Sequence, residues 1–357
     1  MGSLPKATVA GLLGGLGFGA IILGWRMTRI FITPENISQT YDNVFHLNAV
    51  RFILDTGNGS SLRLATLDPS GPGSFYPAVW HDLVSLVVQL SGSSIPVGLN
   101  AVNLVLGAVV WTISVMYLAT RVLGSRPAVY LVTGSLAGAF SAFPYLLLGF
   151  GVLYPNFLAI TLLPVAVALL TDVLRVSTVS HPGWLRGGIL LLVILPGVTL
   201  SHPNIAMAFA VFAIPIIAIW LYKQVRACLN HDLAIRWLAA SLVATAGYLL
   251  ALQFAWEKFR PSKEASSWAP RQTIAQALGE GLANAPLGSP YRGRLHCLPS
   301  LVYTDCYAVA NIFGCLDSCS LGLGYLLSYP ASKKGNFGRP LPVSSTMTAT
   351  GWPHYYR

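Results

Sequence analysis

"MGSLPKATVAGLLGGLGFGAIILGW", residues 1–25, decides how the rest of the chain is read. It is apolar from about residue 7 to 25, and a helix rising ~1.5 Å per residue over that stretch matches a hydrocarbon core about 30 Å thick. A secretory signal has a shorter apolar core, a small-residue cleavage site and then a polar mature domain. No such site or domain follows here, so the stretch is expected to remain as a first membrane span. The glycines of "LLGGLGFGA" are not a phosphate loop, because no strand precedes them and no "GK[ST]" follows. Small residues at that spacing instead let two helices approach closely.

The remaining sequence extends this reading. Of 357 residues, 54% are hydrophobic and 10% charged, against about 25% charged in ordinary globular domains. Mean hydropathy is +0.62. Apolar runs of spanning character fall at about 7–25, 97–120, 127–149, 153–174, 186–200, 205–222 and 237–256. The expectation is an all-α, polytopic transmembrane helical bundle of about seven spans, with the run at 186–200 short and bent by Pro196. "PAVWHDLVSLVVQLSG" (77–92) is too polar at its start for a full span and reads as an interfacial or re-entrant helix. The chain divides into a transmembrane domain (1–257) with a first outer segment over about 26–96, an extracytoplasmic segment (258–290) and an atypical tail (291–357). No internal repeat is visible. Only Cys228 precedes residue 290, and Cys297, Cys306, Cys315 and Cys319 follow no zinc or redox spacing.

The net charge of +10 is a topology signal rather than a nucleic-acid signal. With the N-terminus in the cytoplasm, the inner loops are "RVLGSRP", "RVSTVSHPGWLRG" and "KQVRACLNHDLAIR", each with at least two Lys or Arg. The short loops opposite, "GFGVLYPN" and "LSHPN", have none. Arg26, Arg29, Arg51 and Arg63 run against the pattern, but they lie in a long outer segment, where the rule weighs less.

Under that topology the polar residues of interest converge on the extracytoplasmic side of the cell membrane. In "QTYDNVFHLNAVRFIL" Thr40 stands where a helix cap belongs, and Asp42, His46 and Ala49 share one face. Either Asp42 merely complements the helix dipole and His46 is interfacial, or both belong to a site that also takes in Asn43. "LYPN" (Tyr154, Asn156) and "SHPN" (Ser201, His202, Asn204) put proline and asparagine at helix starts, which is ordinary start chemistry unless they line one cavity. "SGPGSFYPAVWHDLV" adds Tyr76, Trp80, His81 and Asp82, as an aromatic belt or as a platform for a sugar or lipid head.

In order, "YDNVFHLNAVRFI", "SFYPAVWHDLVSLV", a hydrophobic array, "LYPN" and "SHPN" resemble an actinobacterial family of uncharacterised multi-spanning proteins, over about residues 7–290. That family resembles the GT-C glycosyltransferases, which take sugars from polyprenyl-phosphate donors. The resemblance implies an acidic residue in the first outer loop, matched by Asp42, with Asp55 and Asp82 behind it. Such a residue would act as base at the acceptor hydroxyl, while Arg51 and His46 or His202 steady the leaving phosphate. It also implies membrane lipids and a polyprenyl-phosphate sugar as partners, and excludes nucleic acid. No cofactor is identified, and members of the class differ in using a divalent metal. Two rivals stand beside this reading: a transporter or flippase for a lipid-linked or small polar substrate, and a non-catalytic membrane scaffold. Broken helices near a cavity would also suit a carrier, though neither paired intramembrane charges nor an inverted repeat is seen.

From about residue 290 the character changes. "SPYRGRLHCLPSLVYTDCYAVANIFGCLDSCSLGLG" is a marginal apolar run, and "GRPLPVSSTMTATGWPHYYR" has no helical period. One alternative is a weak extra span and a disordered tail. The other is a shifted reading frame. Joining the last base of each codon to the first two of the next forces Asp from Met347–Thr348 and Ala from Trp352–Pro353. The same shift forces Leu from His354–Tyr355 and from Tyr355–Tyr356. With the other codons chosen freely this reads "STGVFYNDRYRLAALLP", which resembles a later outer-loop motif of the same family. The expectation is a frame slip at about 285–300, and hence a truncated, inactive copy.

Overall fold

The computed structural model describes residues 5–67, 75–139, 143–149, 152–179, 184–231 and 233–259. The segment expected at 258–290, apart from its first two residues, and the tail at 291–357 therefore lie outside the described residues. All regular structure among the described residues is helical.

Helix α1 (Lys6–Phe31) crosses first. Its end leads into a segment of short helices, α2 (Tyr41–Thr56), α3 (Ser61–Leu64) and α4 (Val79–Ser91). Helix α5 (Ile95–Leu123) then runs back along α1: Gly107 lies against Met27, and Thr112 lies beside Gly19. Helix α6 (Pro127–Leu136) runs parallel to α1, and α7 (Tyr145–Gly149) is a single short turn. Helices α8 (Tyr154–Val173), α9 (Trp184–Ser201), α10 (Asn204–Leu229) and α11 (Ile235–Phe259) complete the array.

Five of these are long and apolar enough to cross a membrane: α1, α5, α8, α10 and α11 as far as Phe254. The apolar stretches of α6 and α9 are shorter. The seven expected runs therefore correspond to helices, but the run at 127–149 is not one span. It stops at Leu136 and passes through a turn at Phe143–Pro144 before α7. Pro144 lacks the N–H a helix needs and disfavours helical backbone at Phe143, so it separates α7 from what precedes it; the end of α6 lies eight residues earlier, beyond its reach. The expected bend at Pro196 falls inside α9, and 77–92 is a short helix, as its polar start indicated.

The glycines of α1 do bring helices together. Gly11, Gly15 and Gly19 face the backbones of Pro127, Tyr130 and Gly134 in turn, and Gly17 on the other side faces open space. The main core gathers Leu23, Met27, Val50, Trp80, Val84, Leu106 and Phe157, where the short helices meet α1, α5 and α8. Farther along α8, Ala159, Leu163 and Val167 pack with Val198, Ile205 and Ile216. Much of α11, including Leu242, Val243, Leu250 and Phe254, is exposed apolar surface, as a lipid-facing helix requires.

Chain reversal sorts the polar stretches by end. The described residues of 32–94, those of the 138–154 stretch and the 201–204 turn share one end of the bundle. Arg121, Arg126, Arg175, Lys223 and Arg226 lie toward the other. Arg26, which opposes the charge pattern, is tied down: its guanidinium donates to the Gly138 carbonyl (3.0 Å) and lies 4.0 Å over the Tyr145 ring.

Candidate functional site

Helix α2 is oriented by its buried stripe. Asn43, His46, Ala49, Val50 and Ile53 face inward, while Asp42, Val44, Asn48 and Arg51 face outward. Thr40 takes the cap position, yet its hydroxyl meets Ser38 (3.2 Å) and makes no cap bond. The shared stripe of Asp42, His46 and Ala49 is thus buried from His46 onward, and Asp42 in the first turn stays exposed. Asn43 is held by donating to the Ser38 carbonyl (2.9 Å).

His46 and His81, from α2 and α4, are joined directly: His46 Nδ1 and His81 Nε2 are 2.9 Å apart. His46 Nε2 lies 3.0 Å from the Val152 carbonyl, just before α8. A carbonyl only accepts, so His46 Nε2 carries the proton and neutral His46 must accept at Nδ1. His81 Nε2–H is then the donor, which leaves His81 Nδ1 bare and without an aligned partner. The backbone of Pro77 and Ala78 favours protonation of His81, but burial outweighs it. Burial pushes His46 down to about 4, and burial with the His46 neighbour drives His81 well below its usual range.

Rings close around the pair. Trp80 stacks on Tyr154 with centroids 4.7 Å apart and donates from Nε1 to Asn103 Oδ1 (3.0 Å). Tyr154 sits 5.0 Å from His46, and Tyr76 sits 5.7 Å from His81 and 4.3 Å from Phe45. This apolar wall keeps both imidazoles neutral.

The pair makes stability acid-sensitive. Both folded-state values lie below the unfolded 6.5, so as pH falls the unfolded chain binds protons first. Stability is full above pH 6.5 and declines toward pH 4. His46 alone costs about 2 kcal/mol between pH about 7.5 and about 5. Unfolding midpoints in mixed detergent micelles across that range check this; a flat profile would contradict it.

On the opposite face of α2 lies an open groove of about 710 Å³, lined by Val44, Phe45, Asn48, Arg51, Phe52, Asp55 and Leu67. Arg51 and Asp55 form an exposed ion pair (2.8 Å) within it. Asp82, in the first turn of α4, is half-buried and has no ion pair among the described residues, and burial pushes its carboxyl up to about 6. Gly59 makes room for it, since a Cβ there would run into the Asp82 carboxylate.

A family profile, DUF6541, described as a family of unknown function, matches residues 2–306. The chain belongs to the DUF6541 family. No curated protein and no solved structure matches it.

The structure of this DUF6541 chain thus gathers His46, His81, Trp80, Tyr76 and Tyr154 into one cluster, and places Arg51 and Asp42 on another face of α2. Asn156 lies just beyond Tyr154 with its Oδ1 buried and without a partner among the described residues. His202 Nδ1 and Asn204 Oδ1 pair with each other (2.6 Å) at the α9–α10 turn, and partial burial lowers the His202 pKa. Sequence reading missed Asn100 and Asn103. Asn100 donates to the carbonyls of Pro34 and Asn36 (2.9 and 2.8 Å), tying α5 to the exit of α1. Two asparagines three apart in an apolar helix, "GLNAVNLV", were the available signal, since buried amides must find partners.

Proposed function

We propose that this integral membrane protein is a GT-C-like glycosyltransferase, moving a sugar from a polyprenyl-phosphate donor to a cell-envelope glycan at the extracytoplasmic face. The observation that carries the reading is Asp82. Of the three acids weighed in the first outer segment, Asp42 is exposed, Asp55 is engaged by Arg51, and Asp82 is half-buried without a cation among the described residues. A carboxyl near 6 is poised to take the acceptor hydroxyl proton, so Asp82 is placed ahead of Asp42 as the base. Arg51 and Asn48 in the α2 groove supply donors for a sugar or phosphate. His202, Asn204 and Asn156 lie toward the same end of the bundle. Arginines at the far end support placing this end outside. Among the described residues no three His, Cys, Asp or Glu side chains converge, so the reading names no metal ligand.

The test is sugar transfer by the full chain in proteoliposomes with radiolabelled polyprenyl-phosphate monosaccharides. Asp82→Asn should lower kcat roughly 10²- to 10⁴-fold, with folding intact and Asp42→Asn still active. Full activity in Asp82→Asn would remove the assignment. The out-of-frame tail belongs to the same proposal, although the family match runs to residue 306, through the region where the slip is placed. Sequencing the gene through that region, and assaying a frame-restored version alongside, keeps an inactive copy from being mistaken for an inactive family.

A carrier reading has one observation in its favour. Helix α5 loosens into a π-helical turn over Leu106–Val110, and α8, α9 and α10 each contain a proline. Such sites bend. A carrier would move substrate without consuming the donor, and the same liposomes distinguish the two.

A further inference from the structure

We propose that the His46–His81 pair is a proton-operated latch that clamps α2 and α4 onto the head of α8. The clamp closes on a strained point. Val152 has φ 41°, in the left-handed region that a β-branched residue rarely enters, and its side chain is fully buried. Its carbonyl accepts two hydrogen bonds, from the Tyr154 amide (2.8 Å) and from His46 Nε2 (3.0 Å). The second is the polar tie from α2 to this turn, and it runs on through His46 Nδ1 to His81 on α4. Three separate stretches of chain are therefore joined through two imidazoles.

The hydrogen-bond chain also says where a proton enters. Val152 fixes the direction of both bonds, so His81 Nδ1 is the one basic nitrogen left open, and it is buried. The titratable groups facing the pair are Tyr76 from the stretch before α4 and Tyr154 from α8, with Phe45 and Trp80 as the other near rings. On α4 the neighbouring carboxylate, Asp82, is turned toward Gly59, and on α2 Asp42 is exposed. Neither carboxylate hydrogen-bonds to an imidazole of the pair. A proton on His81 thus creates a buried cation that has the Pro77 and Ala78 backbone near it but no counter-charge among the described residues, which is relieved by parting α2 and α4 from α8 and admitting water. Opening releases the Val152 carbonyl and lets the turn relax. The inference does not depend on what the protein transfers, because it concerns only the closure of this end of the bundle.

Hydrogen exchange of the full chain in lipid nanodiscs tests it, at pH about 7.5 and about 5, corrected for intrinsic exchange rates. Between those values, each imidazole that titrates on opening should raise the opening equilibrium about thirtyfold. The rise should be confined to peptides spanning 41–56, 75–91 and 152–157, with α5 and the rest of α8 still protected. His81→Gln keeps a donor for His46 but does not titrate at this pH, and it should cut the acid response by about thirtyfold, leaving only what His46 supplies. If His81→Gln does not fold, His46→Gln is read in the same way. Unchanged exchange in the wild type, uniform opening of every helix, or an undiminished response in the glutamine variant would each overturn the latch.

Discussion

Gly15→Leu should cost about 3 kcal/mol or more, at or above the upper end of overpacking penalties, and should drive α1 away from α6. The reason is where the new side chain would begin. A Cβ on Gly15 would run into the carbonyl of Tyr130, and Gly134 on α6 faces the Gly15 backbone in return. Both obstacles are backbone, which cannot step aside as a flexible side chain can. The helices would have to separate along their whole seam, losing the Gly11–Pro127 and Gly19–Gly134 approaches together. No apolar solvation penalty drives this pair together in lipid, so close van der Waals contact is what holds it. Gly17→Leu is the internal control. It adds the same side chain to the same helix, but nothing lies within 4 Å of its position. It should leave stability within about 0.5 kcal/mol, or raise it slightly through helix propensity. Unfolding midpoints of both variants in mixed dodecylmaltoside–SDS micelles decide the matter, and equal effects would show that the seam does not hold α1.

Asp172→Ala should cost about 3–5 kcal/mol, because it strands a partly buried guanidinium. The Asp172 side chain, on the last turn of α8, is fully buried and sits 3.2 Å from Arg121 Nε on α5. Tyr117 completes the cluster: its hydroxyl donates to Asp172 Oδ2 (3.3 Å) and accepts from Arg121 Nη2 (3.2 Å). The Arg121 carbonyl in turn accepts from the Thr178 amide (2.8 Å) and hydroxyl (3.1 Å), so the cluster also anchors the chain leaving α8. Removing one charge costs far more than removing both. The double variant Arg121→Leu with Asp172→Leu should recover most of the loss, since apolar residues can fill a buried ion-pair site. A double variant as unstable as the single one would mean that the cluster matters for something other than charge pairing.

Most of the fold and part of the candidate site were legible in the sequence, for reasons that differ by residue. Apolar length alone marks α1, α5, α8, α10 and α11, because a hydrocarbon core imposes one length on every crossing. The glycine seam was legible for a similar reason, as "LLGGLGFGA" states a spacing and a small volume. The break after Leu136 was harder to see. No proline stands at that point, and Pro144, eight residues on, could as well have bent a longer helix as followed a finished one. At the candidate site, His46 and His81 were each visible as polar residues in a suspicious place, but they stand 35 residues apart. Nothing in either segment announces that one ring donates to the other, or that Val152 takes the next proton along.

By itself, then, the sequence determined the class of the molecule, its five long apolar helices and the stretches of chain that share an end, because these follow from hydropathy, length and chain direction. Only the tertiary structure decided which polar residues meet. It buried the histidines, left Asp42 exposed, set Asp82 half-buried against Gly59 and paired Asn103 with Trp80. Burial and partnership are made by side chains from distant segments closing one space, and a distance of that kind is not written in any single stretch of residues.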